Sequence, residues 1–230
     1  MKLLSSALSP FAARVRIAIY ARSLPVEITP SNMWLPSGQK SPEYLAINPL
    51  GKVPTLVLDD GTALPESDTI VEFLADAFPK AGLRPANPQD AARGRLIARA
   101  FELYVMTPGW GVLFSQLNPQ ARDEAALDGA MTKMDEGLRC LNLFMTDDAY
   151  AVGDGITTAD CALVPFLFFQ GLLVQTCGKD DLLAKHGKVA GYLGRMQQDP
   201  VMQRVLAEMR EGLASSRLSF LLPQGEKGQS

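Results

Sequence analysis

The chain has 230 residues, with 22 Lys and Arg against 25 Asp and Glu, a net charge of -3 and one histidine, His186. That length suits one large or two modest domains whose core needs no disulfides, and the charge balance offers no basic attraction for nucleic acid or a membrane surface. A single histidine disfavours a catalytic triad or a histidine metal cluster, so no metal is expected. Cys140, Cys161 and Cys177 are odd in number and lack metal or redox spacing, which fits a compartment where thiols stay reduced, the cytoplasm.

The first eighty residues alternate short strands and helices. KLLS (2–5) is strand-like, and a helix follows from Pro10 to about Arg22, with Phe11, Val15, Ala18 and Ile19 at helical spacing. MKLLSSALSPFAA has the basic start and small-residue end of a secretion signal. Its apolar middle, however, is broken by Ser5, Ser6, Ser9 and Pro10, and the helical pattern runs through any cleavage point, so the helix is preferred. VEIT puts Val26 and Ile28 on one face of a second strand, and a polar loop reaches about Lys40. A short helix in SPEYLAI, the turn NPLGKVP, the strand TLVL, the hairpin turn DDG and a short TAL come next. Ile70, Phe73, Leu74 and Ala77 then mark a helix by i, i+3, i+4, i+7 spacing.

PKAGLRPANPQD, with three prolines and a glycine, predicts a linker over residues 81–90, and beyond it no strand pattern is convincing. Residues 91–222 read as a helical bundle. Leu96, Ala100 and Tyr104 mark one helix, and Pro108, Gly109 and Gly111 interrupt the pattern after it. Leu127, Met131, Met134, Leu138 and Leu141 keep one core face over four turns, and Val201, Val205 and Met209 mark a late helix. CALVPFLFFQGLLV (161–174) is apolar nearly all round yet short of the ~20 residues of a membrane span, which predicts a helix at the bundle's centre. Thr157 and Asp160 before it form a capping box with Asp in place of Glu or Gln. The ending PQGEKGQS (223–230) is polar and expected to be disordered.

Three stretches could make a site. Ser9-Pro10 pairs a preferred N-cap with a preferred first helical residue, and starting a helix is one complete explanation of it. The same geometry also puts a hydroxyl where backbone N–H groups and the helix dipole favour a thiolate. In KVPTL, Pro54 precedes a strand; a cis Val53–Pro54 bond would turn the Val53 backbone outward to pair with an extended peptide, whereas a trans proline would be ordinary. In PESDTI, Glu66 and Ser67 either cap a helix or take the ammonium and carboxylate of an α-amino acid.

Together and in this order, SPFAARVRIAI, NPLGKVPTL and PESDTIVEFL resemble the amino-terminal signature of the glutathione transferase family, and ITTAD before a buried helix resembles its carboxy-terminal one. The resemblance covers the chain to about residue 215. It implies an α/β plus all-α fold: a thioredoxin-like domain (1–80) that binds glutathione, then a helical domain supplying most of the electrophile pocket, usually in a homodimer. It further implies that Val53 before a cis Pro54 holds the cysteinyl backbone of glutathione, that Glu66 and Ser67 hold its γ-glutamyl end, and that Lys52, Gln39 or Lys40 approach its glycine carboxylate. SPFAAR is similar to the omega-class pattern with Ser9 in the place of its cysteine, and zeta-class enzymes have serine there; SALSP also resembles the beta-class stretch whose cysteine falls on Ser6. Ser9 is preferred because the match continues through RVRIA, and Ser6 is the alternative.

A hydroxyl suffices for the task. Lowering a thiol pKa of about 8.5 by two requires about 2.7 kcal/mol, within reach of a hydrogen bond to a charged group (roughly 1.5–3 kcal/mol) added to a helix terminus (roughly 0.3–1). Phe11, Trp34, Tyr104, Trp110 and Phe114 are the candidate walls of an apolar electrophile pocket, against a simpler reading as core aromatics. The expected activity is conjugation of glutathione to such an electrophile, or displacement of an ether or halide. The alternatives are a zeta-type double-bond isomerase that returns its glutathione, for which Arg14, Arg16, Arg93, Arg95 and Arg99 are the candidate cations, and a non-catalytic ligand-binding member.

Overall fold

The computed structural model describes residues 1–30 and 39–223; Trp34 and most of the polar tail lie outside the described residues. The strands β1 (Lys2–Ser5), β2 (Glu27–Pro30), β3 (Thr55–Val57) and β4 (Ala63–Pro65) form one sheet in the order β2-β1-β3-β4. β1 runs parallel to β2, with Leu3 opposite Ile28, and antiparallel to β3, which pairs antiparallel with β4. A parallel pair needs a crossover, and α1 (Pro10–Arg22) supplies it. Strand alternation sends Leu3 and Leu56 towards α1 and α3 (Ser67–Ala77), where Val15, Ile70 and Leu74 are buried. Leu4 points the other way onto Tyr44 of α2 (Pro42–Ile47).

Residues 79–90 are docked rather than loose. After a 3-10 turn (Pro79–Ala81), Leu83 is buried and its carbonyl accepts the Thr158 N–H at 3.0 Å, while Arg84 pairs with Glu72 and Asp76. The helices α4 (Pro88–Phe101), α5 (Thr107–Ser115), α6 (Glu124–Phe144), α7 (Thr158–Thr176), α8 (Gly187–Met196) and α9 (Pro200–Ala214) follow. α7 begins three residues before the apolar run that predicts it. It is long and apolar enough to cross a membrane, yet it is buried along most of its length, its residues sharing one continuous core with those of α1 and α4.

The Thr157–Asp160 capping box is present, and it reaches further than a cap. The Asp160 carboxylate accepts from Thr157 N–H and Oγ1 and from Ala151 N–H, each at 2.8 Å, and from the Tyr192 hydroxyl at 2.9 Å. Burial pushes this carboxyl above its ordinary value, and those four donors pull it back in part.

The first bundle helix is present, with a buried face and an interruption that the sequence did not detail. Leu96 and Tyr104 are exposed, at 48% and 58%; the buried face runs through Gly94, Ile97, Ala100, Phe101 and Val105. Pro108 interrupts the regular α-helix, as expected, without ending it. The Pro108 ring would collide with the Tyr104 carbonyl in a regular α-helix, and a π-turn (Glu102–Met106) absorbs the conflict so that α5 continues. Carbonyls of the turn take side-chain donors as well: Thr107 Oγ1 donates to Glu102 O at 2.7 Å, beside the Thr107 N–H, and Gln170 Nε2 to Val105 O at 3.1 Å. Gly137 of α6 is required where the π-turn passes, because a Cβ there would run into the Tyr104 carbonyl.

Candidate functional site

A cleft of about 520 Å³ lies between the sheet domain and the bundle. Its sheet-side wall includes Ser6, Ser9, Gln39, Asn48, Lys52, Val53, Pro54, Glu66 and Ser67. Phe11, Trp110, Phe114, Phe169 and Leu218 form its apolar wall. Three stretches separated by dozens of residues thus meet in one place. Lys40 and Tyr104 do not line it: the Lys40 ammonium donates to the Leu50 carbonyl at 3.2 Å, and Tyr104 sits exposed on the π-turn.

Ser9 is the N-cap of α1, followed by Pro10 at the first helical position. Its Oγ accepts the Ala12 N–H at 3.3 Å, which leaves the hydroxyl proton available for a second partner in the cleft. The capping role and the thiol role are therefore compatible. Ser6 precedes it in a tight turn closed by Ser9 N–H to Ser6 O at 3.2 Å.

The Val53–Pro54 peptide is cis. The loop ahead of it is held by buried polar groups that sequence reasoning missed. Asn48 Nδ2 donates to Lys52 O at 2.8 Å and to Thr55 Oγ1 at 3.0 Å, Asn48 Oδ1 accepts the Leu50 N–H at 3.0 Å, and the Tyr44 hydroxyl also reaches Lys52 O. The available signal was the Asn-Pro pair in NPLG, since Asn commonly folds its side chain back onto a turn. Gly51, at φ 58°, completes that turn, and a Cβ there would stand 2.9 Å from the Gln39 carbonyl.

Glu66 has φ 69° and ψ 113°, a conformation costly for any residue with a side chain, and it stands exposed immediately before α3. Ser67 opens that helix and is buried. Glu66 and the first residue of α3 thus stand side by side on the wall of the cleft.

The apolar wall is an aromatic cluster. Phe11 and Trp110 meet edge-on at 5.8 Å, Trp110 and Phe114 at 5.1 Å, and Phe114 stacks on Phe169 at 5.8 Å. Phe166 lies behind, 4.7 Å from Phe11. Lys52 is the one Lys or Arg among the described lining residues, and SNMWLPSG (31–38) contains neither. The arginines considered for an anionic diacid are occupied elsewhere or face away. Arg14 is buried beneath Phe166 and paired with Asp68, burial pulling its guanidinium below the ordinary value. Arg16 is paired with Glu208, Arg93 with Asp148 and Arg99 with Glu102, and Arg95 is exposed outside the cleft.

A thioredoxin-like sheet domain joined to a helical bundle, with a polar wall from the first facing an aromatic wall built mostly from the second, defines the two-domain class of thiol-using transferases. The description "Glutathione S-transferase, N-terminal domain" matches residues 8–77, and "Glutathione S-transferase, C-terminal domain" matches residues 100–200. The chain is similar to maleylacetoacetate isomerase of Pseudomonas aeruginosa, with 30% identity over 73% of this chain and 80% of that one. It is also similar to glutathione S-transferase 2 of Saccharomyces cerevisiae, with 27% identity over 86% and 85%. The fold matches glutathione transferase F7 from Populus trichocarpa at a TM-score of 0.74 and 21% identity, covering 90% of this chain and 98% of that one. The chain belongs to the cytosolic glutathione transferase family, whose members use glutathione as co-substrate, and it is a glutathione S-transferase.

Proposed function

We propose that this enzyme ionises the glutathione thiol against Ser9 and adds the thiolate to an apolar, aromatic electrophile. The thiol proton leaves to solvent and the Ser9 hydroxyl donates a hydrogen bond to the sulfur anion, assisted by the N-terminus of α1. A carbon–sulfur bond then forms, either by addition or as a halide or ether oxygen departs with its bonding pair. The Val53 backbone ahead of cis Pro54 pairs with the cysteinyl unit, Glu66 takes the γ-glutamyl ammonium, Ser67 with the α3 N-terminus takes its carboxylate, and Lys52 and Gln39 face the glycine end. Phe11, Trp110 and Phe114 grip the electrophile.

The observation that carries this reading is the composition of the one cleft: Ser9, Val53, Pro54, Glu66 and Ser67 along one wall and an uncharged aromatic cluster along the other. A second reading, isomerisation of a cis-unsaturated diketo diacid with glutathione returned, is favoured by the identity to maleylacetoacetate isomerases. A dianion leaving Lys52 for the glutathione carboxylate would find no cation on the aromatic wall, which favours conjugation. Stoichiometry tests the choice. With aryl halides, aryl ethers and a cis-unsaturated diketo diacid offered separately, the proposal expects one glutathione consumed per turnover on the aryl compounds; turnover confined to the diacid with glutathione recovered contradicts it. The exposed Ile47 and Leu50 beside the cis-proline loop, and Leu96, Leu103 and Tyr104 on α4 and its π-turn, support a homodimer. Unpaired cysteines support a cytoplasmic setting.

A further inference from the structure

The turn that carries Ser9 is held from behind, on the side away from the cleft. Arg16, buried on α1 at 3% exposure, donates from Nη2 to the Ala7 carbonyl at 2.8 Å and from Nη1 to the Ser6 carbonyl at 3.4 Å. The Ser6 carbonyl also accepts the Ser9 N–H, so the guanidinium grips the same oxygen that anchors the serine amide. Glu208 of α9 pairs with Arg16 by charge, its Oε2 3.2 Å from Nε without a hydrogen bond between them, while its Oε1 is held by the Tyr20 hydroxyl at 2.9 Å and Arg204 Nε at 3.3 Å. One turn further along α9 is Gly212, where a Cβ would stand 2.5 Å from Leu8 N and 3.0 Å from Ala7 C. Residues four apart on a helix share a face. The last long helix of the bundle therefore meets the Ser6–Ser9 turn through a charged pair and through a missing side chain.

We propose that Arg16, charge-paired with Glu208, is the positioning residue that, with the turn seated against Gly212, fixes the Ser9 hydroxyl at the sulfur. This rests on the assignment of Ser9 as thiol activator. A fork of N–H donors is needed because the turn presents two carbonyls in a fixed relation, a geometry that guanidinium satisfies and a single ammonium does not. Glycine is needed at 212 because the obstacle is backbone, which cannot swing aside as a long side chain can. Arg16 touches neither wall of the cleft and acts only through the turn.

The test is a double-mutant cycle on the full chain, with thiolate absorbance of bound glutathione followed against pH and thermal melts alongside. Arg16→Met and Gly212→Ala are each expected to lower the thiolate fraction at neutral pH about five- to tenfold, with glutathione affinity falling by no more than about fourfold, the part that the lost thiolate itself accounts for. In a Ser9→Ala background neither substitution is expected to lower it further. Arg16→Lys is expected to recover only part of the loss. If Arg16→Met fails to fold, Gly212→Ala, which removes no polar group, decides alone. Folded variants with the parental thiolate titration overturn the proposal, as does an equal loss in the presence and absence of the Ser9 hydroxyl. A Ser9→Ala protein that titrates like the parent defeats the activator assignment itself, an outcome separate from a Ser9 effect that Arg16 and Gly212 fail to share.

Discussion

Replacing Ser9 with alanine removes one oxygen that has two duties, and they separate by size. The Oγ accepts the Ala12 N–H at 3.3 Å, the long end of the N–H···O range, so the lost cap costs about 0.5–1 kcal/mol of stability. The hydrogen bond to sulfur is charge-assisted, about 1.5–3 kcal/mol, which corresponds to a fall of about 10- to 150-fold in the acidity constant of bound glutathione. The α1 N-terminus survives the substitution and keeps its own roughly 0.3–1 kcal/mol, so activation is weakened rather than abolished. The assay is kcat/KM against pH with an aryl electrophile, beside the thiolate absorbance titration. At neutral pH Ser9→Ala is expected to lose about 10- to 100-fold, and the gap closes as pH rises and the thiol ionises unaided. Ser6→Ala serves as the control and is expected to follow the parent. An unchanged profile for Ser9→Ala, or a fall of the predicted size for Ser6→Ala instead, refutes the assignment.

Phe114→Ala removes an edge contact with Trp110 and a stack on Phe169, each about 0.5–1.5 kcal/mol, so the KM for an aryl electrophile should rise about tenfold with the glutathione KM unchanged; equal rises in both would contradict a wall devoted to the electrophile. Glu66→Gly relieves a positive φ, and thermal unfolding should show a gain of about 1 kcal/mol while calorimetry shows glutathione bound about tenfold more weakly; stability and affinity falling together would argue against strain held for binding. Asp160→Ala strands four donors inside the bundle and should cost at least about 3 kcal/mol in urea unfolding, and a loss below about 1 kcal/mol would mean that the carboxylate is no more than a helix cap.

What the sequence revealed was mostly local. Ser9-Pro10, Thr157 with Asp160, and the Gly51 turn each bring their partners within a few residues, so residue type alone announces them. The buried face of α4 was not legible, because Leu96 and Tyr104 mark the helix without being core: periodicity detects a helix but not what covers it. The π-turn was hidden because Pro108 reads as a break, whereas Gly137 and Gln170, about thirty and sixty residues away, make the wider turn affordable. Arg16 was weighed as a cation for substrate. Its true neighbours, the Ser6 and Ala7 carbonyls and Glu208, become adjacent only when α9 closes over α1.

The most direct measurement is a crystal structure with an S-aryl glutathione bound. The account predicts the sulfur within hydrogen-bonding distance of Ser9 Oγ, the cysteinyl backbone paired with Val53, and the aryl ring between Phe11, Trp110 and Phe114. A sulfur seated on Ser6, or an aryl group directed away from that aromatic wall, contradicts it.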